Sequence, residues 1–316
     1  MEISAVLVLV IFTLGFLLVI NGGSVLVESG KSLGEKLGIP PAIIGAGLLC
    51  LITTMPEIVV AILATMRADY TLAIGNSLGS MICNFGVVLA LSYFVLPRMI
   101  DSVDLKNKVI MLFVILAFFS LFIINGSIGI FEGVVLLTLF MIYMLVMFRQ
   151  EGKQNNLKIN DSADGVAGLI VTFFLSGLAI AIGAKAIVNN VSDVGRLLGI
   201  NEKIVSLVVV AIGTSLPELV TAVVSAKNGY PEMGIGNMIG ANIVNASLIP
   251  GVCAIIAKEN SLGVGRDIVG IGVVFLLIIT ALTLLPTLLY KRTARWQGAG
   301  LLLLYATYTL LLFFTM

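Results

Sequence analysis

Long apolar runs separated by short polar or glycine-containing breaks dominate this sequence from end to end. A helical apolar run of about 20 residues is long enough to cross the hydrocarbon core of a bilayer. The pattern therefore predicts about ten membrane-spanning helices. We place them at residues 3–28, 40–66, 70–96, 107–124, 129–148, 165–190, 203–227, 232–257, 268–290 and 297–315. No basic segment precedes the first run and no small-residue cleavage site follows it, so we expect a retained helix and not a signal peptide.

One polar segment, residues 149–164, interrupts the apolar pattern and divides the chain into residues 1–148 and 165–316. Each half contains five predicted helices. Because five is an odd number, the second half must cross the membrane in the opposite sense to the first. The sequence thus predicts an all-α integral membrane protein with two inverted-topology five-helix repeats, joined by a cytoplasmic linker at 149–164.

A repeated motif supports this division into halves. Thr-Thr-Met-Pro-Glu at 53–57 recurs as Thr-Ser-Leu-Pro-Glu at 214–218, an offset of 161 residues. The same offset relates Ile-Gly-Asn at 74–76 to Ile-Gly-Asn at 235–237, and Asn84 to Asn245. The register holds without a net gap over about fifty residues, which is typical of an internal duplication.

Composition agrees with a membrane protein and excludes several functions. Hydrophobic residues make up 59% of the chain and charged residues 11%, while the net charge of +1 does not suit a nucleic-acid-binding protein. Histidine, the commonest transition-metal ligand and neutral-pH base, does not occur. Cys50, Cys83 and Cys253 lie in apolar runs and form no CxxC motif, so a disulfide or zinc role has little support.

The distribution of basic residues predicts the orientation of the chain. With the N-terminus outside, twelve of the 18 Lys and Arg residues fall on the inner side and six on the outer side. This bias agrees with the positive-inside rule. We therefore expect a multi-pass protein of the cell membrane with its N-terminus outside.

Glu57 and Glu218 are the strongest candidates for a functional site, because a carboxylate within hydrocarbon is costly. Thr53 and Thr54 precede Glu57 by one helical turn, as Thr214 and Ser215 precede Glu218. Each motif proline breaks the helix and frees a backbone carbonyl, that of Ile52 or of Gly213. Together these groups are hard oxygen donors, the ligands that Ca²⁺ and Na⁺ prefer.

The helix after each motif adds amide and hydroxyl groups. In the first half they form a stripe at helical spacing, Asn76, Ser80 and Asn84, and the matching positions of the second half are Asn237, Ala241 and Asn245. Two GxxxG pairs, Gly75 with Gly79 and Gly236 with Gly240, predict close helix contacts. Each feature alone has a structural interpretation as a kink, a packing contact or an interhelical hydrogen bond. Their joint recurrence at one offset favours a shared cation site.

These motifs resemble the alpha repeats of the Ca²⁺/cation antiporter superfamily, in particular the prokaryotic members of the Na⁺/Ca²⁺ exchanger branch. The resemblance implies that Glu57 and Glu218 coordinate Ca²⁺ together with backbone carbonyls of Thr53 and Thr214. It implies one Na⁺ position at the Cys50 carbonyl, Thr54, Ser80 and Glu218, and another at the Ala211 carbonyl, Ser215, Glu57 and a hydroxyl of the next helix. Asn84 and Asn245 complete the centre. In this family the first and sixth helices slide as a gating pair.

Three residues depart from the family pattern. Ala241 stands where the family commonly has serine, Asn245 where archaeal exchangers have aspartate, and Ile52 where a glycine is usual. The first two changes remove a hydroxyl and a potential charge from the expected Na⁺ positions. The counter-ion, Na⁺, H⁺ or K⁺, is therefore left open, since two carboxylates in one dry site also compete for protons.

The sequence predicts a secondary active antiporter that exchanges cytoplasmic Ca²⁺ for Na⁺, and not an enzyme. The alternative is a Ca²⁺/H⁺ or other cation/proton antiporter. A cation channel is disfavoured by the internal inverted repeat, and an intramembrane enzyme by the missing catalytic pairs. We expect no cofactor besides the transported Ca²⁺ and Na⁺ or H⁺. The expected partners are inorganic cations and the lipid bilayer, with no nucleic acid and no obligate protein partner.

Overall fold

The computed structural model describes residues 5–95, 103–154, 165–197, 215–257, 261–263, 266–290 and 293–315. This part of the chain is nearly all helical, which confirms the predicted fold class. Seven of its helices are long and apolar enough to cross a membrane, and an eighth span results if the bent pair Gly45–Thr53 and Met55–Met66 counts as one. The chain is thus a multi-span membrane protein. The count of ten and the inverted relation of the halves stay predictions.

The described part of the first half contains eight α-helices, two π-helical turns and one short strand. In chain order they are α1 (Ala5–Leu37), α2 (Pro41–Ile44), π1 (Gly45–Leu49), α3 (Cys50–Thr53), α4 (Met55–Met66), α5 (Tyr70–Cys83), π2 (Asn84–Leu89), α6 (Ala90–Val95), α7 (Val103–Ile123), β1 (Ser127–Gly129) and α8 (Ile130–Gln154). The described part of the second half contains α9 (Val166–Leu197), α10 (Leu216–Lys227), α11 (Pro231–Ile243), π3 (Val244–Leu248), α12 (Ile249–Ile256), β2 (Ser261–Gly263), α13 (Arg266–Tyr290) and α14 (Arg295–Thr315).

Three helices extend beyond the predicted apolar windows. The first window ends at residue 28 but α1 continues to Leu37, and the window at 165–190 becomes α9, which ends at Leu197. The last turns of α1 carry charged residues, yet Leu33 and Gly34 on the opposite side are buried. A prediction from hydropathy ends the helix at the first charged residues. The helix itself can continue when its last turns are amphipathic, with one charged side and one buried side. Likewise α8 continues through residues 149–154 of the predicted linker; residues 155–164 lie outside the described residues.

A two-stranded antiparallel sheet joins the two halves, which the all-α prediction did not include. Strands β1 and β2 pair Ser127 with Gly263 and Ile128 with Leu262. Ile128 and Leu262 are both fully buried. Strands of three residues are too short to show the alternating pattern from which strands are predicted.

The two central spans are far more buried than the others. In the span Tyr70–Phe94, 83% of the apolar window is buried inside the protein, and in Pro231–Ile256 the share is 78%. In the other unbent spans of the described residues it is 44% or less. These central spans carry the two polar stripes. Amides and hydroxyls in the protein interior, shielded from lipid, can bond to one another or to an ion.

Helices α1 and α9 pack side by side on this core. A Cβ added to Gly15 would lie 2.9 Å from the Gly183 carbonyl oxygen, so only glycine allows this approach. On the outer face, Leu14, Leu17 and Leu178 each expose at least half of their surface, which suits contact with lipid.

Candidate cation site

Two helix starts position the paired carboxylates. Helix α3 ends at Thr53, α4 begins at Met55, and the two segments are bent by 52°. Pro56 and Pro217 occupy the beginnings of α4 and α10, where proline costs no hydrogen bond. Glu57 and Glu218 consequently lie in the first turn of α4 and α10, where the helix dipole favours negative charge.

Both carboxylates are buried and incompletely hydrogen-bonded. Glu57 and Glu218 each expose 1% of their surface. Oε1 of Glu57 accepts from the Ser80 hydroxyl at 3.5 Å, and Oε1 of Glu218 accepts from the Thr54 hydroxyl at 3.4 Å. Within the described part of the chain, neither Oε2 has a hydrogen-bond partner and neither carboxylate forms an ion pair. Two carboxyl groups in this environment must either bind a cation while they are ionised or take up protons and become neutral.

Two further oxygens, each about one helical turn along the chain from Ser80 or Glu218, are buried without a partner among the described residues. They are Oδ1 of Asn84, the first residue of π2, and Oγ of Ser215, the residue that precedes α10. Together with the two Oε2 atoms, they supply carboxylate, amide and hydroxyl oxygens. This donor set fits Ca²⁺ or Na⁺ and does not fit a metal that prefers nitrogen or sulfur ligands.

Other predicted site residues are buried but already hydrogen-bonded. The Cys50 carbonyl accepts from the Thr54 N–H at 3.0 Å and from the Thr53 hydroxyl at 3.4 Å. The Asn245 side chain donates to the Ala241 carbonyl at 3.0 Å, and the Ser77 hydroxyl donates to the Asn245 backbone carbonyl at 2.5 Å and lies 3.3 Å from its Oδ1. Thr214 and Ala211, predicted to contribute oxygens from the second motif, lie outside the described residues.

The pairing of hydroxyls with carboxylates agrees only partly with the grouping that the family resemblance implies. Thr54 contacts Glu218, as expected for the first Na⁺ position. Ser80 was expected in the same group, but its hydroxyl donates to Glu57. The glutamates are therefore linked to hydroxyls from different helices, α5 and the break before α4.

Several buried polar residues were missed as site residues. Asn237, named only as a stripe position, accepts from the Thr53 hydroxyl at 3.2 Å and donates to Thr221 at 3.0 Å. Asn242 bonds to Asn84 at 2.9 Å. Thr221 and Asn242 correspond, at the 161-residue offset, to Val60 and Met81. Recurrence was the signal used for the site, so polar residues present in one half only were overlooked.

Close helix contacts were predicted for both GxxxG pairs, and the prediction is wrong for the first: a Cβ at Gly75 or Gly79 would meet nothing within 4 Å. In the second pair the close approach occurs at Gly240. A Cβ at this position would lie 2.6 Å from both the Ala46 carbonyl oxygen and the Cys50 sulfur. The Tyr143 hydroxyl donates to the same Ala46 carbonyl at 2.7 Å. Gly240 and Tyr143 thus hold π1 in place immediately before the motif helix.

A multi-span helical bundle with two buried carboxylates, each in the first turn of a helix and without an ion pair among the described residues, is the architecture of a secondary transporter for cations. Comparison with known proteins specifies the family. The sequence model of the sodium/calcium exchanger protein family matches residues 7–149 and again residues 168–314. The chain belongs to this family, whose members are transporters and not enzymes.

Three relatives illustrate the similarity. An uncharacterized membrane protein of Methanocaldococcus jannaschii is 31% identical over 297 residues, which cover 93% of this chain and 94% of that protein. The sodium/calcium exchanger MaX1 of Methanosarcina acetivorans is 28% identical over 351 residues, with coverage of 96% and 98%. A solved structure of the sodium-calcium exchanger NCX_Mj matches with a TM-score of 0.80 and 27% identity, covering 96% of this chain and 98% of that one.

Proposed function

We propose that this protein is a secondary active antiporter that exchanges Ca²⁺ for Na⁺ across the cell membrane, with Glu57 and Glu218 as the Ca²⁺ ligands. The observation that carries the proposal is the pair of buried carboxylates, each with an unpartnered Oε2 and without an ion pair. Two negative charges neutralise one Ca²⁺ or two monovalent cations. Binding of either therefore replaces the other without leaving a net charge in a low-dielectric site.

Sodium as the counter-ion is supported by the relatives and by the hydroxyl groups at the site. MaX1 and NCX_Mj are named as sodium/calcium exchangers. Thr54 and Ser80 place hydroxyl oxygens against the carboxylates, and Ser215 precedes Glu218 by one helical turn; Na⁺ binding requires such neutral oxygens. Backbone oxygens of Cys50, Thr53, Ala211 and Thr214 are proposed to complete the set. In this proposal α1 and α9 move together to open the site to each side in turn.

Protons are the alternative counter-ion, and two observations favour them over a third monovalent cation. Ala241 is fully buried and offers no side-chain oxygen at the position expected to hold a hydroxyl. The Asn245 side chain is neutral, and its nitrogen donates to the Ala241 carbonyl of its own helix. The second-half side of the site thus has fewer free oxygens for Na⁺, whereas a carboxylate needs no further ligand to accept a proton.

The test is ⁴⁵Ca²⁺ uptake into membrane vesicles loaded with Na⁺, K⁺ or H⁺ in turn. We expect saturable uptake that depends on an outward Na⁺ gradient. Equal or greater uptake driven by an outward H⁺ gradient, with no response to Na⁺, would select the cation/proton alternative. Ca²⁺ flux that needs no counter-ion in any of the three preparations would contradict antiport altogether.

A further inference from the structure

Asn84 and Asn242 form a chain of two buried amides that ends on the main chain. Nδ2 of Asn242, on α11, donates to the carbonyl oxygen of Met81 at 3.2 Å. Nδ2 of Asn84 donates to Oδ1 of Asn242 at 2.9 Å. Neither side chain is accessible to solvent by more than 1%. The chain thereby links the start of π2 in the first half to α11 in the second half.

The chemistry of this chain fixes the orientation of the Asn84 amide. A backbone carbonyl can only accept a hydrogen bond, so Asn242 must direct its nitrogen to Met81. Its oxygen then faces Asn84, which must present a nitrogen in return. Oδ1 of Asn84 is left without a partner in the described part of the chain, although it is buried. A buried acceptor that the protein leaves unsatisfied costs free energy unless a ligand occupies it.

The equivalent asparagine of the second half is held differently. Asn245 donates to the Ala241 carbonyl of its own helix, and the Ser77 hydroxyl bonds to its backbone carbonyl at 2.5 Å and lies 3.3 Å from its Oδ1. The residue that corresponds to Asn242 in the first half is Met81, whose thioether cannot hold an amide in this way. Consequently, the two related asparagines are held differently, and only Asn84 has an amide oxygen with no donor within hydrogen-bonding distance among the described residues.

We propose that Asn242 is a positioning residue for the cation site: it holds the Asn84 side chain so that Oδ1 faces the bound cation, and it makes the site asymmetric. This inference rests on the proposed Ca²⁺ transport function. It assigns Asn84 as a ligand and Asn245 as a structural residue, even though both occupy the same place in the duplicated motif.

The experiment is a double-mutant cycle on Ca²⁺ transport by the full-length protein in vesicles. The variants are Asn242→Ala, Asn84→Ala and the double variant, and the readouts are the half-saturating Ca²⁺ concentration and the maximal rate. We expect Asn242→Ala to raise the half-saturating concentration about 10-fold, the effect of one misplaced neutral ligand. In the Asn84→Ala background, the same substitution should change it by less than about 2-fold, because its partner is already absent.

Ser247→Ala is the matched control. Ser247 is also fully buried, lies in π3, and donates only to the Ile243 carbonyl of its own helix. We expect this variant to keep the original half-saturating concentration. If Asn242→Ala does not yield folded protein, Asn242→Met replaces it, because methionine is tolerated at the related position 81.

Two outcomes would overturn the inference and leave the proposed function intact. One is an equal loss of affinity from Asn242→Ala in both backgrounds, since a purely structural residue would act independently of Asn84. The other is unchanged affinity in Asn84→Ala while Glu57→Gln abolishes exchange. Full exchange in Glu57→Gln would instead remove the proposed function itself.

Discussion

Removal of one negative charge from the carboxylate pair is the most direct test of the site. Glu57→Gln and Glu218→Gln keep the side-chain shape but halve the charge that balances a divalent cation. Each carboxylate is 1% exposed, and no described cationic side chain is close enough to form an ion pair. The charge pair that matters here is a buried carboxylate and the bound cation, and removing one partner of a buried pair of opposite charges typically costs about 3–5 kcal/mol. We therefore expect the half-saturating Ca²⁺ concentration to rise by about 160- to 5,000-fold, which abolishes exchange at ordinary concentrations.

The assay is initial-rate ⁴⁵Ca²⁺ uptake into Na⁺-loaded vesicles across a series of Ca²⁺ concentrations, with variant content matched by immunoblot and folding checked by size-exclusion chromatography. Glu132→Gln is the matched control, because Glu132 is a partly buried carboxylate that accepts from the Gly129 N–H at 3.0 Å and lies beside β1. It should retain the original affinity. The reasoning is wrong if either site variant transports Ca²⁺ with an unchanged half-saturating concentration.

Three further predictions concern protons, coupling and packing. Lowering the pH should raise the half-saturating Ca²⁺ concentration without changing the maximal rate, because protons and Ca²⁺ compete for the same two carboxylates. Ala241→Ser combined with Asn245→Asp should steepen the Hill slope of Na⁺-driven Ca²⁺ flux and raise Na⁺ affinity, because the pair adds an oxygen and a charge. Gly177→Ala should destabilise the protein by about 1–3 kcal/mol, since its Cβ would collide with the Ile52 side chain. In the Gly177→Ala variant, the second substitution Ile52→Ala should restore the thermal midpoint of the solubilised protein, because it removes the side chain with which the new Cβ collides.

Each of these predictions has a contradicting result. An affinity for Ca²⁺ that is independent of pH between mildly acidic and mildly alkaline conditions would argue against a shared carboxylate site. A Hill slope near three in the original chain, unchanged by the two substitutions, would show that residues 241 and 245 do not set the coupling. A thermal midpoint that Gly177→Ala leaves unaltered would mean that α9 shifts freely to accommodate a methyl group.

Hydropathy predicted the positions of the helices well, because the bilayer imposes one physical requirement on long apolar segments. Nine of the ten predicted windows coincide, within several residues, with helices that the structure describes, and α10 covers the second part of the window at 203–227. The ends were harder to predict. The last turns of α1 and α8 are charged, and they stay helical because the helix backbone satisfies its own hydrogen bonds wherever it lies.

The motif predicted the helix break of the first half for a similar reason, since the effect of proline on a helix is local. The described break lies between α3 and α4, next to Pro56, and both glutamates lie in the first turn of a helix that has a motif proline at its start. The π-helical turns could not be predicted. Turn π2 begins at Asn84, in a sequence without proline and with no periodicity that differs from an ordinary α-helix. Turn π3 begins at Val244 and ends two residues before Pro250, which cannot donate to the carbonyl of Ala246 inside the turn. Such turns depend on packing between helices, as at π1, where Tyr143 and Gly240 both meet the Ala46 carbonyl.

Residues that occur in both halves and residues that occur in only one half have different roles, and the charges of the transported ions explain why. A divalent cation needs two carboxylates, and a duplicated motif supplies one from each half, as Glu57 and Glu218 do. Selection among counter-ions depends instead on neutral oxygens, and these are unequal in the two halves. Ser80 has a hydroxyl where Ala241 has none. We therefore expect substitutions at the repeated carboxylates to abolish transport, and substitutions at Ser80 and Ala241, which differ between the halves, to change the response to Na⁺.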